Sequence, residues 1–421
     1  MSATPDCVCV YAPCADGGHA RYAWELTTAL ARAGRGGHRF ELVSSQDLEA
    51  PFRHTEYPVH PILPPLRGRR SFPTPLHWAA SRAMHYPLRE RQFLNWLRGR
   101  PDVAVVHLQE WKPWLAAPMV RAIRRMGKKV FYTVHNVLPH KYPAGIPKAL
   151  MDHWIRRSAL ACDGLFVHSD RLASELARFL GPRRPPITVA PHGVWTVPDA
   201  AACPPLAERL ASKRLLFFGA IRRNKGLDLL LRAAERLSGY SITIAGEPCE
   251  PDYFDAEVMP SVRALRAAGR RVDLLDRFVP DGEVGRLFAT HSAVVLPYTS
   301  QFVAQSGVVF MAVAYGLPVV ASTAGGLRDV LGECEIGTTF EAGSVDGLVE
   351  AIRRLHDPTR CPTLEQQIAA ACRRFTWRAA AEATIAGYSG VENPAPETGP
   401  EMPSRLMTET HDCVLGTTPA H

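Results

Sequence analysis

Short apolar runs alternate with amphipathic stretches along most of the chain. In the first half, six runs rich in β-branched and aromatic residues predict strands, with helical patterns between them. The predicted strands are Val8–Tyr11, Phe40–Val43, Val103–His107, Val130–Val134, Leu165–Val167 and Ile187–Val189. The predicted helices are Ala20–Ala33, Leu115–Met126, Pro147–Leu160 and Arg171–Leu180. Continuous apolar strands separated by helices indicate a parallel sheet that is covered on both faces.

The same alternation starts again in the second half. The predicted strands there are Leu215–Phe218, Ile242–Ala245, Val272–Leu275, Val294–Leu296 and Val319–Ala321. The predicted helices are Leu227–Leu237, Val262–Ala268, Val308–Tyr315 and Val345–Leu355. Two such series predict an α/β protein with two Rossmann-like, parallel-sheet domains facing across a cleft. Ligands of open α/β sheets bind at the carboxyl ends of the strands, so the cleft is the expected site.

Changes in composition set the predicted domain boundaries. We expect a first domain at 1–194, a second at 213–375, and a helix at 376–389 that crosses back to the first domain. Residues 195–212 begin with a Pro- and Ala-rich stretch and are the predicted linker. The Pro-, Glu-, Thr- and Ser-rich residues 390–421 lack periodicity, which predicts a disordered tail.

Residues 51–100 form a predicted insertion in the first domain, rich in proline, aromatic residues and arginine. Within it, a basic amphipathic segment lies around Trp78–Trp96. Such a segment suits contact with a membrane surface or an acceptor, and it also suits a lid packed on its own domain. We favour the lid.

Composition and charge narrow the classes of protein. The chain has 421 residues, 46% of them hydrophobic and 21% charged, which is typical of globular proteins. No apolar run of about 18 residues predicts a transmembrane helix, and the N-terminus lacks a secretion-signal pattern. The 10 cysteines include no CxxC pair, so we expect reduced thiols and a cytoplasmic protein.

The positive charge is concentrated in the first half. Residues 1–190 carry 27 Lys and Arg against 14 Asp and Glu, a net of +13, and the remainder carries 22 against 27. This asymmetry favours an anionic substrate, peripheral contact with an anionic membrane, or simply a solvated basic surface. No zinc-finger, RNP or helix-turn-helix signature accompanies the charge, so nucleic acid is not an expected partner.

Two loops have the chemistry of phosphate sites. After the first predicted strand come Asp16, Gly17 and Gly18, and glycines at a strand-to-helix turn let a ligand approach the backbone. Asp16 is the one acidic candidate near the cleft, and a role in the turn also accounts for it. After Phe218, a loop carries Arg222, Arg223 and Lys225 in front of the next helix. Cations beside a helix N-terminus suit a pyrophosphate.

A third candidate is the start of the predicted helix Val308–Tyr315. Ser306 and Gly307 stand at its N-terminus, where free backbone N–H groups attract anionic oxygens. The loop with Arg222 and this helix start both follow predicted strands, so we expect them at the same sheet edge.

The motifs, taken in order, resemble the family 4 retaining glycosyltransferases over about residues 7–389. They are the Gly17-Gly18 loop, TVHN (133–136), HS (168–169), PHGV (191–194), GxxRxxKG (219–226), PYxxxxxQSG (297–307) and AxGxPVV (314–320). The chain is most similar to the branch with an HNxxPH motif, which here runs from His135 to His140.

The resemblance implies a role for each matching residue. Arg222 and Lys225 would neutralise the diphosphate of a nucleotide-sugar donor, and His135 would bind a hydroxyl of the donor sugar or else cap its strand. The resemblance also implies that neither a cofactor nor a metal is required. Backbone groups would hold the donor's sugar and phosphates. The implied donor-binding residues are Gly17, Gly18, Gly219, Gly226, Gln305, Ser306, Gly307 and Val308.

One departure from the family pattern concerns the ribose. The usual Glu-x7-Glu pair is replaced by Val303 and Met311. A hydrogen bond to a charged group contributes about 1.5–3 kcal/mol, so the choice of nucleotide or the donor affinity changes. We expect Ser306 and backbone groups to compensate, because QSG is intact.

The sequence therefore predicts a glycosyltransferase acting on a glycan, a lipid-linked glycan or a small metabolite. The alternatives are a nucleotide-sugar epimerase or hydrolase of the same fold, and a transferase-like scaffold that binds without turnover. The motifs do not distinguish the sugar, the nucleobase, the acceptor or the linkage.

Overall fold

A computed structural model describes residues 6–34, 37–53, 55–66, 71–139, 142, 145–197, 203–302 and 305–390. The chain forms two compact units. The first contains the described residues up to Gly193 and those from Trp377 to 390, and the second contains those from Val194 to Thr376. All of the predicted tail beyond residue 390 lies outside the described residues.

The first unit is built around a parallel sheet. Its elements up to residue 193 are β1 (Asp6–Tyr11), α1 (Gly17–Ala33), β2 (His38–Ser45), β3 (Val59–Leu63), α2 (Pro75–Arg98), β4 (Val103–Leu108), α3 (Pro113–Arg125), β5 (Lys129–Thr133), α4 (Lys148–Ala159), β6 (Gly164–Val167), α5 (Asp170–Leu180) and β7 (Ile187–Val189). Among the described residues the sheet has seven strands in the order β3-β2-β1-β4-β5-β6-β7. The order reverses direction between β1 and β4, where ligands of such sheets bind.

The second unit repeats this plan. Its elements are α6 (Leu206–Ser212), β8 (Arg214–Phe218), α7 (Leu227–Ala234), β9 (Ser241–Ala245), α8 (Pro251–Tyr253), α9 (Met259–Ala267), β10 (Arg271–Leu275), α10 (Asp281–Thr290), β11 (Ala293–Leu296), α11 (Gly307–Ala314), β12 (Val319–Ser322), α12 (Leu327–Cys334), β13 (Gly337–Phe340), α13 (Val345–Leu355) and α14 (Cys361–Arg374). In the described part of this unit, the parallel strands have the order β10-β9-β8-β11-β12-β13. The reversal here lies between β8 and β11.

The last helix, α15 (Trp377–Tyr388), belongs to the first unit. The Trp377 ring lies 5.3 Å from that of Tyr22 in α1. Near the helix end, the Tyr388 hydroxyl lies 2.7 Å from Nδ1 of His107 in β4. Helices α1 and α15 therefore cover the same face of the first sheet.

The prediction of two Rossmann-like parallel-sheet units is confirmed, and each predicted strand is present. Two strands, β3 and β13, were missed. Both are edge strands, so their faces are only partly buried and lack the continuous apolar pattern of the central strands. Strand β3 also contains Pro61, which edge strands tolerate.

The predicted insertion at 51–100 is largely regular structure, because it contains β3 and α2. Helix α2 has two different halves. Phe93 and Leu97, near its end, are fully buried in the core of their own unit, as the lid interpretation requires. Leu76 and Met84, in the first half, are 77% and 69% exposed. Only the second half of the helix is thus part of the core.

The predicted linker at 195–212 is wrong in part, since residues 206–212 form α6 and belong to the second unit. Arg209 is 4% exposed, and its guanidinium donates hydrogen bonds to the carbonyls of Tyr315 (2.9 Å) and Gly316 (2.7 Å). Trp195 is equally buried and donates from Nε1 to the Gly307 carbonyl at 2.6 Å. This segment therefore holds both ends of α11.

Candidate functional site

The loop after β8 is held against the loop after β11. Gly226 has φ +63, and a Cβ there would clash with the carbonyl of Pro297. The backbone N–H of Thr299 donates to the Asn224 carbonyl at 3.0 Å. Because both contacts involve backbone, the cation-bearing turn Arg223–Lys225 has a fixed place at the carboxyl end of the sheet.

The three cations of this loop have different surroundings. Arg223 forms an ion pair with Glu257, with Nη1 2.9 Å from Oε2. The side chains of Arg222 and Lys225 form no hydrogen bond or ion pair with any residue that the structure describes. The Lys225 ammonium only lies over the Tyr298 ring, 5.5 Å from its centroid. Two positive charges at this edge therefore remain available to a ligand.

The start of α11 lies beside these cations. A Cβ on Gly219, whose φ is +102, would be 3.0 Å from Nζ of Lys225 and 3.9 Å from Val308 Cγ2. Ser306 precedes the helix, but its hydroxyl lies 3.0 Å from the Tyr298 hydroxyl and does not cap the helix amides. The helix N-terminus and the cations thus suit the same anionic group.

Gln305 adds a further polar group, because its buried Oε1 has no hydrogen-bond partner among the described residues. The second unit therefore brings together Gly219, Lys225, Ser306, Gly307 and Val308, as the sequence predicts. Arg222 lies at the start of the same turn. A pyrophosphate fits this combination of cations and backbone amides.

The first unit contributes a cluster of histidines at the carboxyl ends of its strands. The His135 Nδ1 lies 3.0 Å from Nε2 of His168, and Nδ1 of His168 lies 3.1 Å from the Ala190 carbonyl. The Nε2 atom of His135 is buried and has no partner among the described residues. Tyr22 packs edge-on against His135, with 4.9 Å between ring centroids.

These histidines are neutral at physiological pH. Burial lowers the pKa of His168 to about 4 and that of His192 to about 3. Burial is also the main reason that the pKa of His135 lies well below its usual value, and the nearby imidazoles of His19 and His168 lower it further. A neutral imidazole has one donor and one acceptor nitrogen, so the cluster can only bind ligands of matching polarity.

The two glycines that begin α1 have open space around them. Gly17 has φ +71, and a Cβ on Gly17 or Gly18 would meet no atom within 4 Å. The next residue, His19, places its ring 4.9 Å from that of His135. The structure therefore brings the predicted Gly17, Gly18 and His135 to one edge of the first unit, with free space in front of the glycines.

Beside this loop is a cavity of about 290 Å³ between the ends of β1, β2 and β4 and the helix α2. Its lining mixes cations, carboxylates, aromatic rings and one thiol: Tyr11, Cys14, Asp16, Asp47, Arg82, Tyr86, Arg89, Glu90, Glu110, Trp111 and Lys112. Such a lining suits a polar ligand with many hydroxyl groups.

The two glutamates of the cavity differ in protonation state: Glu90 is mostly neutral at neutral pH, and Glu110 is ionised. Burial raises the pKa of Glu90 to about 8, so it is mostly protonated at neutral pH. Burial would also raise the pKa of Glu110, but its ion pair with Lys112 and the proximity of His19 lower it to about 2. The cavity therefore offers both a donor and an acceptor carboxyl group.

Two family models match the chain. The model described as Glycosyltransferase Family 4 matches residues 16–196, and that described as Glycosyl transferases group 1 matches residues 212–357. The chain belongs to glycosyltransferase family 4.

This family 4 chain is similar to several transferases. It is 28% identical to a glycogen synthase of Mycobacterium tuberculosis over 321 residues, and this matched region covers 72% of each chain. It is 29% identical to a D-inositol 3-phosphate glycosyltransferase of Xylanimonas cellulosilytica, covering 68% of this chain and 71% of that one.

Solved structures show the same GT-B fold. Sucrose-phosphate synthase from Thermosynechococcus elongatus has a TM-score of 0.68 at 18% identity, covering 91% of this chain and 98% of that one. Anabaena HepE in complex with UDP-glucose has a TM-score of 0.65 at 16% identity, covering 91% of this chain and all of its own.

In this glycosyltransferase, methionine replaces the second glutamate of the family's Glu-x7-Glu pair. Met311 lies in α11 and is 8% exposed, next to the buried Val309 and Phe310. An apolar side chain thus occupies the position of the usual second carboxylate. Val303, the other replaced position, and His140 of the HNxxPH motif lie outside the described residues.

Sequence reasoning missed Gln109, the residue after β4. It is 2% exposed, and neither atom of its carboxamide has a partner among the described residues. His107 and Thr133 share one face of the sheet, since their side chains are 2.7 Å apart, and alternation places Gln109 and His135 next along that face. The sequence feature that could have identified Gln109 is its position directly after a buried strand.

Among the described residues, no helix is long and apolar enough to cross a membrane. The described part of the chain also contains no group of three or more His, Cys, Asp and Glu residues that could hold a metal ion. Metal independence stays a prediction.

Proposed function

We propose that this glycosyltransferase moves a sugar, without a metal ion and with retention of anomeric configuration, from a nucleotide-sugar donor to a hydroxyl acceptor. The observation that carries the proposal is the pair of cations Arg222 and Lys225. Neither is neutralised by any described residue, although Arg223 between them is. Charges left unpaired beside a helix N-terminus suit an anionic ligand.

The pair would act on the leaving group. When the glycosidic bond to the donor breaks, both bonding electrons stay with the diphosphate, and Arg222 and Lys225 stabilise the added negative charge. Such stabilisation contributes about two orders of magnitude in rate per lost group. The acceptor hydroxyl attacks the face from which the diphosphate departs, and a phosphate oxygen takes its proton. Aspartate or glutamate is then not needed as a base.

The remaining predicted residues would position the donor. The amides at Gln305–Val308 would bind phosphate and sugar oxygens, and the glycines Gly219 and Gly226 allow the backbone to approach them. In the first unit, His135 would bind a hydroxyl of the transferred sugar, while Gly17 and Gly18 leave room for it.

The cavity beside Glu110 is the proposed acceptor site. Its aromatic rings and mixed charges favour a hydroxyl-rich acceptor, such as a glycan or a small polar metabolite. The chain is also similar to a glycolipid mannosyltransferase of Xanthomonas campestris, at 25% identity. The exposed Leu76 and Met84 of α2 and the excess positive charge of the first half support contact with an anionic membrane if the acceptor is a glycolipid.

A turnover assay tests the proposal. The purified chain is incubated with UDP-glucose or GDP-mannose, with and without a panel of acceptors, in EDTA and with added magnesium. We expect diphosphate release only when an acceptor is present, equally in both buffers, with the product's anomeric configuration matching the donor by proton NMR.

Variants connect this activity to the site. Arg222→Ala and Lys225→Ala should each lower kcat about a hundred-fold, and Arg223→Ala, the matched control, should keep near-normal activity. Release without an acceptor would instead indicate hydrolysis or epimerisation, and binding without release would indicate a scaffold. Full transfer by the Arg222→Ala/Lys225→Ala double variant would refute the proposal.

A further inference from the structure

Hydrogen bonds within the histidine cluster of the first unit determine which ring nitrogens carry a proton. The Ala190 carbonyl can only accept a hydrogen bond, so Nδ1 of His168, 3.1 Å away, carries a proton. Because burial lowers the pKa of His168 to about 4, the ring is neutral and its Nε2 has a lone pair. Because Nδ1 of His168 donates to the Ala190 carbonyl, Nε2 of the same ring can only accept a hydrogen bond.

The same reasoning extends to the second ring. The lone pair on His168 Nε2 faces Nδ1 of His135 at 3.0 Å, so that nitrogen must donate. His135 is also neutral, because its pKa is lowered well below the usual value, mainly by burial. Its Nε2 is then an acceptor, buried and without a partner among the described residues.

The neighbouring groups leave this arrangement intact. Around His135 lie the rings of His19 and Tyr22, each with its centroid 4.9 Å away and nearly perpendicular. His192 lies beside His168, with 5.8 Å between the ring centroids, and places its own Nδ1 2.6 Å from the Gly193 carbonyl. The groups whose charge affects the pKa of His135 are imidazoles, which oppose its protonation, and the Glu110 carboxylate interacts with His19.

We propose that His168 is a positioning residue that holds His135 in the Nδ1–H tautomer, so that His135 Nε2 accepts a hydrogen bond from a sugar hydroxyl. A buried acceptor without a partner requires a ligand group that donates. The site therefore selects a neutral sugar with a free hydroxyl at this position. A deoxy, fluoro or O-methyl sugar cannot donate there, and the carboxylate of a uronic acid would face a lone pair.

The tautomer can be measured without any ligand. In protein labelled with ¹⁵N-histidine, two-bond ¹H–¹⁵N correlation spectra at pH 7.5 show which nitrogen of each ring is protonated, and the His135→Gln variant assigns the signal. We expect the Nδ1–H pattern for His135 in the wild type. The Nε2–H pattern there would overturn the proposal.

Two substitutions test the role of His168. Phenylalanine at this position (His168→Phe) removes the acceptor, and we expect His135 to shift towards the Nε2–H form. Glutamine (His168→Gln) can present a carbonyl oxygen in place of Nε2, and we expect it to preserve the wild-type pattern. An unchanged His135 tautomer in a folded His168→Phe protein would also contradict the proposal.

The selection of the sugar rests on the proposed function and needs an active donor. Donors with single hydroxyls replaced by fluorine or hydrogen should reveal one position where both changes lower kcat/KM about ten-fold in the wild type. In His168→Phe this preference should largely disappear, and His168→Gln should restore it. If transfer activity is absent but the tautomer is as expected, the proposed function fails and the positioning role of His168 stands. If transfer activity is present but His135 has the Nε2–H tautomer, the proposed function stands and the positioning role of His168 fails.

Discussion

The ammonium of Lys225 lies 3.0 Å from the position that a Cβ would take on Gly219. Gly219 directly follows β8 and has φ +102, a conformation that favours glycine. The end of the strand and the proposed catalytic cation therefore lie close together, and a side chain at position 219 would press against Nζ and shift it.

Alanine at position 219 should thus have two separable effects. Gly219→Ala strains the backbone by about 1–3 kcal/mol and moves Lys225, so we expect kcat/KM to fall ten-fold or more. Gly239→Ala is the matched control, because Gly239 is exposed, has φ +81, and its Cβ would meet no atom within 4 Å. Urea unfolding should show similar losses of stability in both variants. Equal transfer rates in the two would contradict the contact with Lys225.

The unpaired carboxamide of Gln109 predicts that stability and activity will respond differently. Gln109→Met removes polar atoms that bond to no described residue, so the free energy of unfolding should stay constant or rise by about 1 kcal/mol. The rate of sugar transfer should fall about ten-fold, because the ligand would lose its hydrogen bonds to the Gln109 carboxamide. Thr133→Val, a control whose hydroxyl does bond to His107, should lose stability. A destabilised Gln109→Met with normal kinetics would show that the residue is purely structural.

Restoring a carboxylate at position 311 should not improve the donor site. Met311 is 8% exposed between apolar neighbours, so Met311→Glu should lose about 2–4 kcal/mol of stability from burial of an unpaired acid. We expect calorimetry to show no ten-fold gain in donor affinity, since in the proposed function the amides of the QSG segment bind the donor. Met311→Gln separates the effect of charge from that of shape. A large gain for glutamate alone would mean that the native site has merely lost a residue it could still use.

Buried neutral histidines predict a loss of stability in acid. Burial lowers the pKa of His107 to about 3, against an unfolded value near 6.5, so the unfolded chain binds the proton first. The contribution of His107 is complete above pH 6.5 and declines as the pH falls from there towards 3, by about 1.4 kcal/mol per pH unit. In His107→Gln, the slope of the unfolding free energy against pH should be smaller between pH 6 and 4, by the amount that the uptake of one proton contributes. An identical slope in both proteins would exclude this assignment.

Several elements of the fold were predictable because their signals are local. The continuous apolar runs of β1, β4 and β11 and the helix signal after Ser306 depend only on neighbouring residues. The edge strands β3 and β13 were not predictable in this way, since each pairs with one strand only and its residues are partly exposed, so no continuous apolar run marks it. The predicted linker failed because its helix depends on contacts that are distant in sequence. Leu206–Ser212 becomes α6 through contacts such as Arg209 to Tyr315.

The sequence by itself determined the parallel α/β series, the order of the family motifs and the residue types offered to a diphosphate. Only the tertiary structure decided which of those residues are free to bind. It neutralises Arg223 with Glu257 and leaves the side chains of Arg222 and Lys225 without a partner among the described residues. It also connects Ala190, His168 and His135 into one hydrogen-bonded chain. Residue type sets what a group can donate or accept. Its charge state and its remaining hydrogen bonds depend on burial and on partners brought together from distant parts of the chain.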